Sequence, residues 1–332
     1  MATTVPATDE LMHEATDDPQ FNESMYFNFV DGKRGFSTLI RMGNRVNEGH
    51  AEVTVLLYLP DGGAAIFFDR SPIETNDRFD SGGLRFDVVE PLEHVRVTFA
   101  GDAHVLADGR DLADPKRAFA ESPVRPVRLT LDYGSIALYG LGEGDDAIGG
   151  IAGAEDSIAT GHYQGPCRVT GTVTIGDEDH AVEGLGFRDH SWGPRKWQGP
   201  RWWRWISCLC DEQNGFVAWL TKIGDTVAPP RGMVMRDGNL SLVRSAEVTS
   251  TYDPDLPHYP ATMDVTLGTD EGEWKAHGER LTLVPLRHRR EGVTARLSEL
   301  VCRYDFEGLE GYGISEYHDL MLDGIPAGMG EA

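Results

Sequence analysis

The chain has 332 residues with 30 basic and 54 acidic side chains, giving a formal net charge of −24 and a pI near 4.7. A field of that sign repels phosphate backbones and anionic lipid surfaces, which excludes a nucleic-acid partner. Hydrophobic residues at 40% and charged residues at 25% are ordinary globular values, so the chain can bury a core, and its length suits two ordinary domains.

The opening stretch, MATTVPATDELMHEATDDPQ, carries neither a basic nor an apolar signal region, and no apolar run approaches the length of a spanning helix. The expectation is a cytoplasmic protein without an integral membrane segment. Apolar and polar residues then alternate with period two along most of the chain, at 53–59, 95–99 and 127–133, and again at 168–175, 216–221, 263–267, 281–286 and 297–304. Each such run is a strand with one dry and one wet face. Asp61-Gly62, Asp108-Gly109 and Asp237-Gly238 are short-turn signals of the kind that join antiparallel strands. Helical period is scarce, with short helices expected only at 9–15 and 114–121, and the glycine- and acid-rich stretch 140–160 reads as a connection. The fold class is therefore all-β, as sandwiches or barrels.

The stretch GLGFRDHSWGPRKWQGPRWWRWISC, beginning at Gly184, differs in composition from its surroundings. It holds five of the seven tryptophans, Trp192, Trp197, Trp202, Trp203 and Trp205, interleaved with Arg188, Asp189, His190, Arg195, Arg201 and Arg204. A pocket walled by aromatic rings with a few polar groups is the common design of a small-molecule site, and indole faces also stabilise a cation. If residues 187–192 are extended, Arg188, His190 and Trp192 share one face and Asp189 the other. A bulge, or the break at Gly193-Pro194, would be needed to bring Asp189 and His190 into one pocket. On the next strand Trp203 and Trp205 share a face, with Trp202 and Arg204 opposite. His162-Tyr163 precedes a strand whose end can reach a barrel mouth. Glu316 shares a strand face with Ile314, and inward burial would raise its pKa and suit it to proton transfer.

GFRDHSWGPR, the later EGYGISEY and the early MYFNFVDGKRG together resemble the carotenoid hydratase, or hydroxyneurosporene synthase, superfamily. The likeness covers most of the chain. It implies two lipocalin-like antiparallel β-barrel domains packed side by side, 1–181 and 182–332, with the GFRDHSWG motif opening the second and lying near their junction. The resemblance places Asp189 and His190 where the hydratases have their acid and its partner, with Trp192 in the same motif. Family members hydrate a terminal isoprenoid double bond, and relatives isomerise or cyclise hydrophobic substrates.

The candidate site is thus Asp189, His190 and Glu316 for catalysis, with Trp192, Arg195, Trp203, Trp205, Tyr312, His162 and Tyr163 against a hydrophobic small molecule. No GxSxG, HExxH, P-loop or dinucleotide fingerprint occurs in strand-helix context, and no histidine pair stands at metal-ligand spacing beside carboxylates. No cofactor and no metal are expected. Three readings stay open: acid-catalysed hydration, dehydration or double-bond isomerisation of an unsaturated isoprenoid-like molecule, binding of a lipid or terpenoid without chemistry, and cyclisation directed by cavity shape.

Overall fold

The computed structural model describes residues 5–143 and 159–329. Strand accounts for 67% and helix for 6%, so the all-β expectation holds. The stretch expected to form a glycine-rich connection, 140–160, lies largely outside the described residues.

The chain divides into two compact units, residues 5–143 with 159–195, and residues 196–329. In the first, eight strands run β1 (Phe21–Asp31), β2 (Phe36–Arg45), β3 (His50–Tyr58), β4 (Ala64–Pro72), β5 (His94–Leu106), β6 (Val124–Ser135), β7 (Gly161–Ile175) and β8 (Glu178–Pro194). Each pairs antiparallel with the next and β8 returns to β1, closing an eight-stranded ring. The second unit repeats the plan with β9 (Pro200–Leu209), β10 (Gly215–Ile223), β11 (Arg231–Arg236), β12 (Asn239–Tyr252), β13 (Pro260–Thr269), β14 (Gly272–Arg290), β15 (Val293–Phe306) and β16 (Leu309–Leu322), β16 pairing back onto β9. The division between units lies after Arg195 rather than at Val182, because β8 runs unbroken from Glu178 to Pro194 and pairs on both sides within the first ring. The motif therefore belongs to the last strand of the first barrel.

The alternation read from the sequence marks strands with one solvent-facing side. In β6, Val127, Leu129, Leu131 and Tyr133 are buried while the residues between them are more open. Their inward faces join Met25, Phe27, Ile40, Val55 and Val97 in the first core. Burying one such side chain is worth about 1.5–3 kcal/mol. The second core is built the same way from Ile206, Phe216, Val234, Met263, Leu300 and Phe306. Asp237 and Gly238 both take positive φ, 50° and 79°, the paired left-handed geometry of a two-residue hairpin between β11 and β12. The expected helix at 114–121 is present as Pro115–Glu121, whereas 9–15 forms only a 3-10 turn, Ala7–Glu10. No helix among the described residues is long and apolar enough to cross a membrane.

Close backbone approach fixes two glycines. A Cβ on Gly186 would lie 1.9 Å from the Asn28 carbonyl oxygen of β1, and one on Gly313 would lie 1.9 Å from that of Ser207 in β9. Only hydrogen fits at either place, so the G in the motif's GF is a packing requirement.

Candidate functional site

Strand alternation decides what β8 can do. Register pairs Phe27 with Arg188, Met25 with His190 and Glu23 with Trp192, so these side chains face the first core together. The register holds without a bulge through this stretch. Asp189 and His190 consequently point to opposite faces, as an extended stretch without a bulge requires.

On the outer face Asp189 keeps a side-chain exposure of 20%, with the Nε2 of His162 3.7 Å away. Gln164, its neighbour across β7, donates to the Tyr139 hydroxyl at 2.6 Å. Arg195 turns to the Ser191 hydroxyl at 2.9 Å, and that hydroxyl also lies 3.1 Å from Ser24 Oγ. Desolvation and the charge of Asp189 raise the Tyr139 phenol above its usual range.

The inner face is polar where a barrel is ordinarily greasy. Arg188, fully buried, ion-pairs with Glu10 from the leading segment and reaches the Tyr163 hydroxyl at 3.1 Å. Its guanidinium lies over the Phe27 and Tyr163 rings, 5.5 and 5.7 Å from their centroids. One layer away, Glu23 Oε1 meets His13 Nδ1 at 2.8 Å and His190 Nε2 at 2.9 Å. The backbone N–H of His13 and the side chain of Asn76 also donate to this carboxylate. Burial works against ionisation, yet these hydrogen bonds win and hold the Glu23 carboxyl at about 2. Trp192 stacks on His13 with centroids 3.7 Å apart. Glu10 and His13 thus tie the leading segment into the polar end of the barrel.

The second unit gathers the other predicted residues on one face. Within its ring Trp202, Ile206 and Cys208 face the core, which leaves Trp203 and Trp205 on the outer face, as alternation required. Across β16 and β15 the residues level with Trp205 are Glu316 and then Glu299. Glu316 shares Ile314's face, as read, but that face is the barrel's outside; Ser315 and Tyr317 are the inward residues. The indole N–H of Trp203 donates to Glu316 Oε1. Behind it Glu299 is 1% exposed, and desolvation, reinforced by the Glu316 carboxylate, pushes its pKa well above the usual carboxylate range. Two carboxyls in contact cannot both ionise, so the pair retains one proton, shared through their hydrogen bond.

Aromatic rings wall this pair. Trp203 stacks on His318 at 3.9 Å with 13° between planes and meets Trp219 edge-on at 6.3 Å. His318 Nε2 donates to the Trp197 carbonyl at 2.9 Å, and complete burial lowers its pKa to about 3, so the ring is neutral at physiological pH. Inside the barrel, Arg204 and Asp319 form a bidentate pair at 3.1 and 3.2 Å.

Of the expected site residues, then, Glu316, Trp203 and Trp205 come together in the second barrel. His190, Trp192 and Tyr163 meet inside the first, and Asp189 and His162 on its outside. Tyr312 lies on Glu316's face, but its hydroxyl is engaged with Glu310 at 2.9 Å. Glu299, Glu23 and His13 were not singled out from sequence; a lone carboxylate inside the apolar run FNESMYFNFV was the available signal for Glu23.

Each unit is thus a closed eight-stranded antiparallel barrel, the fold that the resemblance implied. The chain belongs to the family DUF7064, described as a domain of unknown function, which it matches over residues 6–321. Similar solved structures include the AttH-like protein of Nitrosomonas europaea, 16% identical with a TM-score of 0.55, covering 96% of this chain and 98% of that one. CghA is 12% identical with a TM-score of 0.56, covering 96% and 93%. Kievitone hydratase from Nectria haematococca is 12% identical with a TM-score of 0.54, covering 95% of each. At these identities the likeness is one of fold. Sequence comparison with curated proteins gives no match.

Proposed function

We propose that the chain is an enzyme that protonates a carbon–carbon double bond of a hydrophobic, isoprenoid-like molecule, leading to hydration, its reverse, or double-bond isomerisation. The observation that carries this reading is the Glu299–Glu316 pair: two hydrogen-bonded carboxyls, one buried and pushed well above the usual carboxylate range, the other half-buried, with tryptophans around them. Glu316 delivers to the alkene carbon the one proton that it shares with Glu299 through their hydrogen bond, and the emptied pair is the base that takes a proton back. The cation so formed lies against the indoles of Trp203 and Trp205. Attack by water and return of its proton to Glu316 completes hydration, while transfer of a different carbon-bound proton from the cation to Glu316 gives the isomer. The chemistry needs a proton, water and a dry wall. That one solved relative is a hydratase, and that another was crystallised with a small molecule, Sch210972, fits this reading.

Asp189 is the rival donor, since the resemblance assigns it the acid's place and it keeps an open edge. The test is deuterium incorporation from D2O into a panel of acyclic isoprenoids with trisubstituted terminal double bonds. Glu316→Gln is expected to lower incorporation by about 10²–10⁴, and Glu299→Gln to lower it too, with Asp189→Asn retaining most of it. Loss in Asp189→Asn with full incorporation in Glu316→Gln would move the proton donor to the first barrel. Binding of the panel without exchange would make the protein a carrier.

A further inference from the structure

We propose that His13, Glu23 and His190 form a binding site for one divalent metal ion of the zinc class inside the first barrel. Their ligand atoms, two imidazole nitrogens and a carboxylate oxygen, all lie within 4.8 Å of one another. Both nitrogens converge on the same oxygen, Glu23 Oε1, at 2.8 and 2.9 Å. Two imidazoles and one carboxylate are a donor set that zinc, cobalt and their neighbours take readily, leaving a fourth position for water. The carboxylate has no lysine or arginine among its hydrogen-bond and ion-pair partners in the described residues, although its side chain is wholly buried. An interior carboxylate is ordinarily paired with a cation, and the groups held against this one are two imidazoles, which are also metal-ligating side chains.

The surroundings pre-orient the ligands. Phe79, Tyr163, Trp192 and His13 set their rings around His190 at centroid distances of 5.4–5.7 Å, and Trp192 lies flat on His13. Asn76 and the His13 backbone N–H hold the carboxylate in place, the outer-shell support that metal ligands commonly have. Binding requires each imidazole to present a lone pair, with the ring proton on its far nitrogen, and requires the ligand atoms to part by about 0.5 Å to reach tetrahedral spacing. His13 can make that movement, because it lies on the segment preceding the ring and keeps a side-chain exposure of 22%, which also gives the ion its entry. The three ligands come from the leading segment, β1 and β8, so their spacing in sequence carries no metal signature. This inference is independent of the proton chemistry assigned to the second barrel.

The experiment uses the full chain, stripped with a chelator and titrated with zinc by calorimetry and with cobalt by absorption. One equivalent of zinc with micromolar or tighter affinity is expected, with a cobalt d–d spectrum of four-coordinate nitrogen and oxygen ligation. His13→Ala, which removes the partly exposed ligand, should weaken zinc binding at least tenfold while leaving the circular dichroism intact. Glu23→Gln should do the same, and the surface control His277→Ala should not. Absence of zinc binding below about 100 μM in the native chain would overturn the site, as would tight binding that His13→Ala and Glu23→Gln both leave unchanged.

Discussion

Asp319→Ala isolates the energetics of the second barrel's interior. Arg204 and Asp319 are 1% and 2% exposed, and the guanidinium lies 5.2 Å from the Trp202 centroid and 4.5 Å from that of Tyr317. Removing the carboxylate strands a charge in that aromatic slot, for which the cost is about 3–5 kcal/mol. The carbonyls of Trp203 and His318, at 2.8 and 3.0 Å, still accept from Nη1 and pull the figure toward the lower end. Loss of the Gly328 N–H bond to Asp319, 2.8 Å long, adds about 1 kcal/mol. A destabilisation of about 4 kcal/mol results, read as a fall in the urea midpoint at constant slope, or on the order of 10 °C in Tm. The double variant Arg204→Met with Asp319→Leu should cost far less than the single one, because it removes both charges and keeps the volume. A single-variant cost below about 1 kcal/mol, or a double variant as damaged as the single, would refute a desolvated ion pair here.

Other outcomes follow from the same geometry. The raised pKa of Glu299 means the fold keeps a proton that the unfolded chain releases above about 4.5, so this contribution is full below that pH and is lost as pH rises through the folded value. Glu299→Gln should therefore gain stability relative to the native chain as pH climbs from 4 to 9; parallel stability curves would show that Glu299 is ionised in the fold. His318 works in the opposite direction, its depressed pKa of about 3 making stability complete above about 6.5 and eroding it as pH falls toward 3. His318→Gln should flatten that acid limb in pH-dependent denaturation, and an unchanged limb would contradict a neutral buried ring. Gly186→Ala, whose new Cβ would meet the β1 backbone at 1.9 Å, should cost about 1–3 kcal/mol by overpacking, and a thermally unaltered variant would deny that approach.

Legibility in the sequence tracked solvent. Strands with one wet face, such as β5 and β6, show period two and were found, and Asp237-Gly238 announced its hairpin. β1, β2 and β9 are buried on both faces, so FNESMYFNFVD or PRWWRWISCL carries no alternation to read. The tryptophan-rich stretch supplies one part of the proposed site, and the other lies about a hundred residues on, where only the ring closure of β16 on β9 brings Glu316 to Trp203 and Trp205. Glu299 sits in LSELV, whose apolar residues occupy both faces, so nothing local distinguishes it as half of a carboxyl dyad.

Ring closure also limits how copies of this protein can meet. Among the described residues the second barrel's strands pair round from β9 to β16, and the first barrel's from β4 back through β1 and β8 to β5, where β4 and β5 meet only at 64–66 and 104–106, so most peptide groups are spent within a ring. Association of copies brings together chains that each carry a formal charge of −24. Like charge of that size holds copies apart until salt shortens the screening length, from about 10 Å at 0.1 M to about 3 Å at 1 M. Association between copies is thereby made sensitive to ionic strength.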